Sequence, residues 1–342
     1  LSDRATLLET SLERVEEPTV RTEILGELAE LWDVLVGNAE RAIDAYTRLI
    51  ASDPENADIV LPAARALERL HLTRDDHEKL AEALRLQITF EDDIEIKKAL
   101  LGRLAELSEG PLNDVPRAIA AYVERLELDP GDLVAMLALE RLYEARSEWP
   151  ELIGILQKRE GVALHEHEGR VLARRVGEIY ESKLADRERA IDAYTEVLSR
   201  FGNDRETVVA LERVYEASEK YQELLDTLQI ELELATDPQD RAEVRFRSAE
   251  LMRKRTNAPE SALDAYRAVL EERPGHEGTI AALNEMVASG GATRVDAARV
   301  LVPHYEARVD HERLIHSLEV VSETDDPRER LDALRRAAES AE

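Results

Sequence analysis

Apolar residues recur along this chain at the i, i+3, i+4, i+7 spacing of amphipathic helices, and nowhere alternate as strand residues would. The stretch from 168 to 234 shows the pattern at its clearest. A first helix is expected over 168–182, with Val171, Leu172, Val176 and Ile179 as its stripe. A second, over 187–200, carries Ala190, Tyr194, Val197 and Leu198. A third, over 205–217, carries Val208, Val209, Leu211, Val214 and Tyr215, and a fourth, over 221–234, Leu224, Leu225, Leu228 and Leu232. Pro116, Pro150, Pro238, Pro259 and Pro327 stand where helices should begin, since the first turn does not need their missing N–H. Asp237 and Asp326 precede two of them and are expected to cap the free amides. The reading is all-α.

This four-helix block repeats. Arg41-Ala42-Ile43-Asp44-Ala45-Tyr46 returns as Arg117-Ala118-Ile119-Ala120-Ala121-Tyr122, Arg189-Ala190-Ile191-Asp192-Ala193-Tyr194 and Ser261-Ala262-Leu263-Asp264-Ala265-Tyr266. The tyrosines lie 76, 72 and 72 residues apart. A fixed period signals a stacked-repeat architecture, in which each block packs on its neighbours. The second helix pair repeats as well: Leu139-Glu140-Arg141-Leu142-Tyr143 matches Leu211-Glu212-Arg213-Val214-Tyr215 and, more loosely, Leu67-Glu68-Arg69-Leu70-His71. In the last block the nearest match is Tyr305-Glu306-Ala307-Arg308, 39 residues after Tyr266 where Tyr143 follows Tyr122 by 21. The 18 extra residues predict an inserted helix over 277–288, closed by Gly290-Gly291, that disturbs the packing of this block. Pro303 is expected to kink or restart the helix after it. Residues 4–15 look like a fourth helix without its predecessors and 328–341 like a first helix without successors. The expected layout is one array over 1–342, a piece of something longer, with 17–18 helices. Its blocks are 19–92, 93–166, 167–237 and 238–325, flanked by partial repeats at 1–18 and 326–342.

The pattern Ala42-x3-Tyr46-x7-Pro54 resembles the second helix and closing proline of the tetratricopeptide repeat (TPR). Ala118, Tyr122 and Pro130 fit it, as do Ala262, Tyr266 and Pro274, while Gly202 stands where the third copy would have proline. A small residue precedes each tyrosine by 17 positions: Ala29, Ala105, Gly177 and Ala249. Small residues let antiparallel helices approach closely, and the aromatic ring fills the gap between hairpins. The third–fourth pairs lack that small residue and match the family loosely. The resemblance implies a right-handed superhelical α-solenoid of antiparallel hairpins whose first helices line a groove. It also implies a non-enzymatic scaffold that binds a protein or peptide there. The readings set beside it are a structural spacer or self-assembling rod, and a regulatory segment of a larger enzyme.

Composition narrows the partners. With 74 acidic against 45 basic residues the formal charge is −29, which opposes nucleic acid and anionic membranes and favours a partner with a basic patch. The same charge serves solubility equally well. No cysteine is present, so disulfides and thiolate chemistry are excluded, and no apolar run approaches the ~20 residues of a membrane span. Leu1-Ser2-Asp3-Arg4 shows no secretory pattern, and a cytoplasmic setting is slightly favoured.

Candidate chemistry is sparse. His165-Glu166-His167 lacks the i, i+4 histidine spacing of a helical zinc site and is expected in a loop. His304, His311 and His316 are spread over a helix and a turn, and His311, in the slot of Trp149 and Tyr221, is expected to pack. No phosphate loop, nucleophile elbow or carboxylate pair points to catalysis, a metal or a cofactor. One polar position recurs: Glu30, Glu106, Glu178 and Glu250 each follow the small residue directly. In a TPR groove they would face a basic segment. Alternatively they pair locally with Arg103, Arg175 and Arg247, three positions earlier on the same helices.

Overall fold

The computed structural model describes residues 2–341, which form nineteen α-helices and no strand. They divide into two compact units, one ending at Leu164 and the other beginning at His165. The first holds α1 (Ser2–Leu12), α2 (Pro18–Glu30), α3 (Ala39–Ser52), α4 (Ala57–Leu72), α5 (His77–Phe90), α6 (Ile94–Glu109), α7 (Val115–Leu128), α8 (Leu133–Arg146) and α9 (Trp149–Val162). A π-helical turn, Leu31–Val36, extends α2 and stops at Gly37, whose φ of 73° ends it. The second holds α10 (Glu166–Ser182), α11 (Arg187–Phe201), α12 (Arg205–Ala217), α13 (Tyr221–Leu234), α14 (Pro238–Lys254) and α15 (Pro259–Glu272). It continues with α16 (Glu277–Ser289), α17 (Arg294–Arg308), α18 (His311–Val321) and α19 (Pro327–Ala341). Within each unit consecutive helices pack on one another through short connections, which makes them antiparallel hairpins. No helix of the described residues is long and apolar enough to cross a membrane.

The predicted bounds of α12 and α13 are met to the residue, because Asp204 caps the first and the Lys220–Tyr221 turn opens the second. All four repeat tyrosines are buried, Tyr194 and Tyr266 completely. Tyr194 packs with Ala190 and Ile191 of its own helix and with Ala210, Leu211 and Val214 of α12, so the ring fills the seam between successive hairpins. Gly177 on α10 sits against its face: a Cβ there would lie 2.5 Å from the ring. Val171 and Val209, assigned to the apolar stripes, are exposed instead. Asp237 makes no side-chain cap, whereas Asp326 accepts from the Arg328 amide at 2.9 Å.

The helix expected over 277–288 is present as α16, closed by Gly290, and the register of the core shows how it fits the block. Thr207, Val208, Leu211 and Val214 of α12 are buried, and 72 residues later Thr279, Ile280, Leu283 and Met286 of α16 are buried in turn. Ala135, Met136, Leu139 and Leu142 of α8 occupy the same register one period earlier. Their caps keep step: Asp132, Asp204 and His276 accept from the amides of Ala135, Thr207 and Thr279. Thus α16 keeps the register of a third helix, and one more helix follows it. The α17 helix closes at the left-handed Val309 with the backbone bonds that close α8 at Ser147, and α18 opens at His311 as α9 opens at Trp149, so the last block holds the expected extra helix. The α19 helix opens on Asp326-Pro327 as the first helix α14 opens on Asp237-Pro238. Asn284-Glu285-Met286-Val287 erased the polar lettering of the third helix while its apolar spacing survived. Tyr305-Glu306-Ala307-Arg308 of α17 carries the lettering of Tyr143-Glu144-Ala145-Arg146 instead. Pro303 neither restarts nor interrupts α17, which runs through it. The described residues hold nineteen helices rather than the expected 17–18.

Candidate functional site

Two polar layers recur with the repeat. In the first, a carboxylate four residues after the small residue of each first helix meets an arginine of the following third helix. Asp33 pairs with Arg69, Glu109 accepts from Arg141 Nη2 at 2.7 Å, and Glu181 takes both Nε and Nη2 of Arg213 at 2.6 and 2.8 Å. The repeat tyrosine donates into the same carboxylate, Tyr46 to Asp33 at 3.2 Å and Tyr194 to Glu181 at 2.9 Å. Arg213 holds the Glu181 carboxyl below its usual range, and Arg141 does the same for Glu109. Burial, then the adjacent Asp33 carboxylate, pushes the Tyr46 phenol up to about 12. In the last block the pair is reversed: Arg253 stands on the first helix and reaches Glu285 of the third at 3.1 Å, and Tyr266 donates to Glu250.

The second layer lies between a third helix, the fourth helix after it and the next first helix. Glu68 accepts from Gln87 Nε2 at 2.6 Å and from Arg103. Glu140 pairs with Arg159, which stands where Gln87 does. In the third copy that position is Glu231, so two carboxylates, Glu212 and Glu231, converge on one guanidinium, Arg247, at 2.9 Å from Glu231. Both glutamates are only 4% exposed, and Oε1 of Glu212 has no hydrogen-bond partner. Burial pushes Glu212 up to about 7, with the Glu231 charge adding to it and Arg247 opposing.

Beside this third copy, α12, α13 and α14 line an open cleft of about 490 Å³. Val209, Leu224, Leu228, Phe246 and Leu251 supply its apolar wall, and its polar one mixes Glu212, Glu216 and Glu250 with Arg213, Arg247, Lys254 and Arg255.

Residues 207–242, covering nearly all of α12, all of α13 and the start of α14, match the tetratricopeptide repeat family. The fold is a TPR-like α-solenoid. The match falls on a third–fourth hairpin, the type in which the small-residue signature is missing, so the TPR pattern extends to both hairpin types. Among solved structures, YrrB, a TPR protein with an unusual peptide-binding site, is 17% identical over 70% of this chain and 98% of its own, with a TM-score of 0.31. The C-terminal part of a TPR repeat-containing protein from Cytophaga hutchinsonii is 13% identical over 74% and 97%, TM-score 0.34. The human IFIT1 dimer with PPP-AAAA is 16% identical over 93% and 73%, TM-score 0.35. At such identities and scores these likenesses carry no argument about ligands. A search of curated protein sequences finds no match.

In this TPR-like frame the four sequence-predicted glutamates separate. Glu30 and Glu106 are exposed and make no ion pair among the described residues. Glu178 is also exposed, 3.6 Å from Arg174. Glu250 is drawn inward by Lys254, Arg253 and the Tyr266 hydroxyl, whose contacts hold its carboxyl low against the opposing effect of burial. The local pairs expected for the glutamates do not form at Arg103 or Arg247, which reach Glu68 and Glu212 on the preceding third helices. His165 precedes α10, and Glu166 and His167 lie in its first turn rather than in a loop; all three are exposed. His304 Nδ1–H donates to the Pro274 carbonyl, 2.9 Å away. His311 opens α18 and is exposed, so it does not pack in the slot of Trp149, and His316 is exposed as well. Sequence reasoning missed both polar layers. The signal was there: Arg69, Arg141 and Arg213 recur every 72 residues, and Asp33, Glu109 and Glu181 recur at the 76- and 72-residue spacing of the tyrosines.

Proposed function

We propose that this chain is a non-enzymatic interaction scaffold that holds a basic segment of a partner protein on the faces made by the first helices within each of its two units. The observation that carries the reading is where the charge surplus sits. Many guanidinium groups are already engaged with carboxylates of the repeat layers, while Glu30, Glu106 and Glu178 project outward, one residue after the position that packs on the second helix. A surplus of unpaired surface carboxylate attracts cations and repels polyanions. TPR folds generally bind protein or peptide partners, which agrees with such a face.

The immobilised chain, challenged with a cell extract at low ionic strength, should retain proteins with basic segments and release them as salt rises. Retention of acidic proteins or of nucleic acid, undiminished by salt, would contradict this reading.

A further inference from the structure

In the first unit, α6 and α8 leave an apolar strip in water. Lys98, early in α6, donates to Asp129 just before α8 at 2.6 Å, and Arg141, late in α8, donates to Glu109 at the end of α6 at 2.7 Å. These two contacts lay α6 and α8 side by side and parallel. Between them the outward positions of α8 are Leu133, Val134 and Leu137, which are 51%, 61% and 52% exposed. Those of α6 begin with Ile96, 46% exposed, and Ala99, also exposed. Leu133 and Leu137 stand one turn apart on the same side of α8, and Val134 lies on the Arg141 side, toward α6.

No other third helix of the described residues exposes three aliphatic side chains in this register. One period later α12 has Arg205, Glu206 and Val209, the first two paired with Asp240 and Arg174. The α16 helix has Glu277, Gly278 and Ala281, and in α4 the position of Leu137 is taken by Arg65, paired with Glu91. Ile96 likewise gives way to Glu168 on α10 and Asp240 on α14. Three aliphatic side chains of α8 and one of α6, each about half exposed, present on the order of 400 Å² of apolar surface, a size typical of contact sites.

The charges around the strip say what covers it. Glu106 at its upper end and Asp92 just before α6 are exposed and make no ion pair among the described residues. The bordering cations are engaged: Lys98 by Asp129, Arg103 by Glu68 and Arg141 by Glu109. A second copy of the chain would bring a further −29 to these carboxylates, so self-contact is opposed. A basic segment with a large apolar side chain among its cations meets both features. We propose that the strip is an anchor site for a leucine- or phenylalanine-sized side chain of the partner, with flanking lysines or arginines facing Glu106 and Asp92. The proposal rests on the scaffold reading above and adds what the scaffold selects besides charge. Charge steers the encounter, and the buried apolar anchor sets how long it lasts.

The test uses the full chain with methyl-labelled leucine and valine, and two acetylated, amidated probe peptides of equal lysine content. One carries leucines at helical i, i+3, i+4, i+7 spacing, and the other serines in their place. The leucine peptide should bind at least about tenfold more tightly and shift the Leu133, Val134 and Leu137 methyls saturably in NMR. Leu133→Ser combined with Leu137→Ser should reduce its affinity to that of the serine peptide, whose own affinity stays unchanged. Both side chains are more than half exposed, so the double variant should keep the native helix content. Should it unfold, Val134→Ser takes its place and should weaken the leucine peptide severalfold while sparing the serine peptide. Unmoved methyls, a leucine preference that survives the double variant, or a native dimer that the double variant abolishes in sedimentation would overturn the anchor site. If the two peptides bind equally well, the anchor site fails and the scaffold reading stands; if neither binds, both fail.

Discussion

Gly177 and Tyr194 show how one residue sets another. Alanine occupies the equivalent of Gly177 at Ala29, Ala105 and Ala249, yet here the tyrosine ring leaves no room for a methyl group. Gly177→Ala, conservative by comparison with the other blocks, should therefore destabilise the chain by about 1–3 kcal/mol, the usual cost of overpacking. Tyr194→Ala should cost about 3–5 kcal/mol, and Tyr194→Phe only about 1 kcal/mol because Arg213 still satisfies Glu181. Urea unfolding of the three variants checks the order. Glu212 makes a separate prediction about pH. Its carboxyl is raised in the folded state to about 7, so the folded chain holds a proton there that the unfolded chain releases near 4.5. Its contribution favours folding at low pH and is lost as pH rises from about 4.5 through about 7. The depressed carboxyls of Glu109 and Glu181 act oppositely, losing their contribution as pH falls below about 4.5. The urea midpoint should thus drop between about pH 5 and about pH 8 in the native chain, and Glu212→Gln should remove most of that drop.

Between helices, the reversed pair Arg253–Glu285 is the informative case. In the other blocks the first helix supplies the carboxylate and the third the arginine, so reversal must have occurred at both ends for the contact to survive. Arg253→Glu alone places a carboxylate beside Glu250 and Glu285 and should lower stability. Adding Glu285→Arg rebuilds the arrangement of the other blocks and should recover most of the loss, a coupling that a double-mutant cycle reads directly. This element also shows what could be read from the residues alone. Helix bounds such as those of α12 were legible because caps, prolines and apolar spacing act locally. The 72-residue register of α16 was legible in Thr279, Ile280, Leu283 and Met286, although the α12 motif Leu-Glu-Arg-Val-Tyr reads Leu-Asn-Glu-Met-Val there. The polar layers lie one helical turn from the glutamates that the sequence singles out. Glu30 and Glu106 stand next to the small residue and point outward, while the carboxylates that tie helices together, Asp33 and Glu109, come three residues later and need partners some 30 residues away. Such long-range pairing has no local signature, only co-recurrence across blocks.

For the molecule as a whole, a net charge of −29 sets the sign of what it attracts and the salt dependence of that attraction. Helix packing buries the tyrosines and leucines with little help from surface charge, so high salt should leave the fold intact while weakening a charged partner. The central claim is that exposed glutamates on the first helices recruit a basic segment. Glu250 belongs to the Tyr266 contact, so the variant that isolates the claim is Glu30→Gln, Glu106→Gln, Glu178→Gln with Glu250 left in place. The decisive measurement is the dissociation constant of a basic partner retained by the chain, titrated from about 0.05 M to about 0.5 M salt for the native protein and this triple variant. The account predicts that native affinity falls steadily with salt and that the variant, equally helical and equally stable, binds more weakly at low salt with a shallower dependence. Identical affinities and identical salt slopes for the two proteins would contradict it.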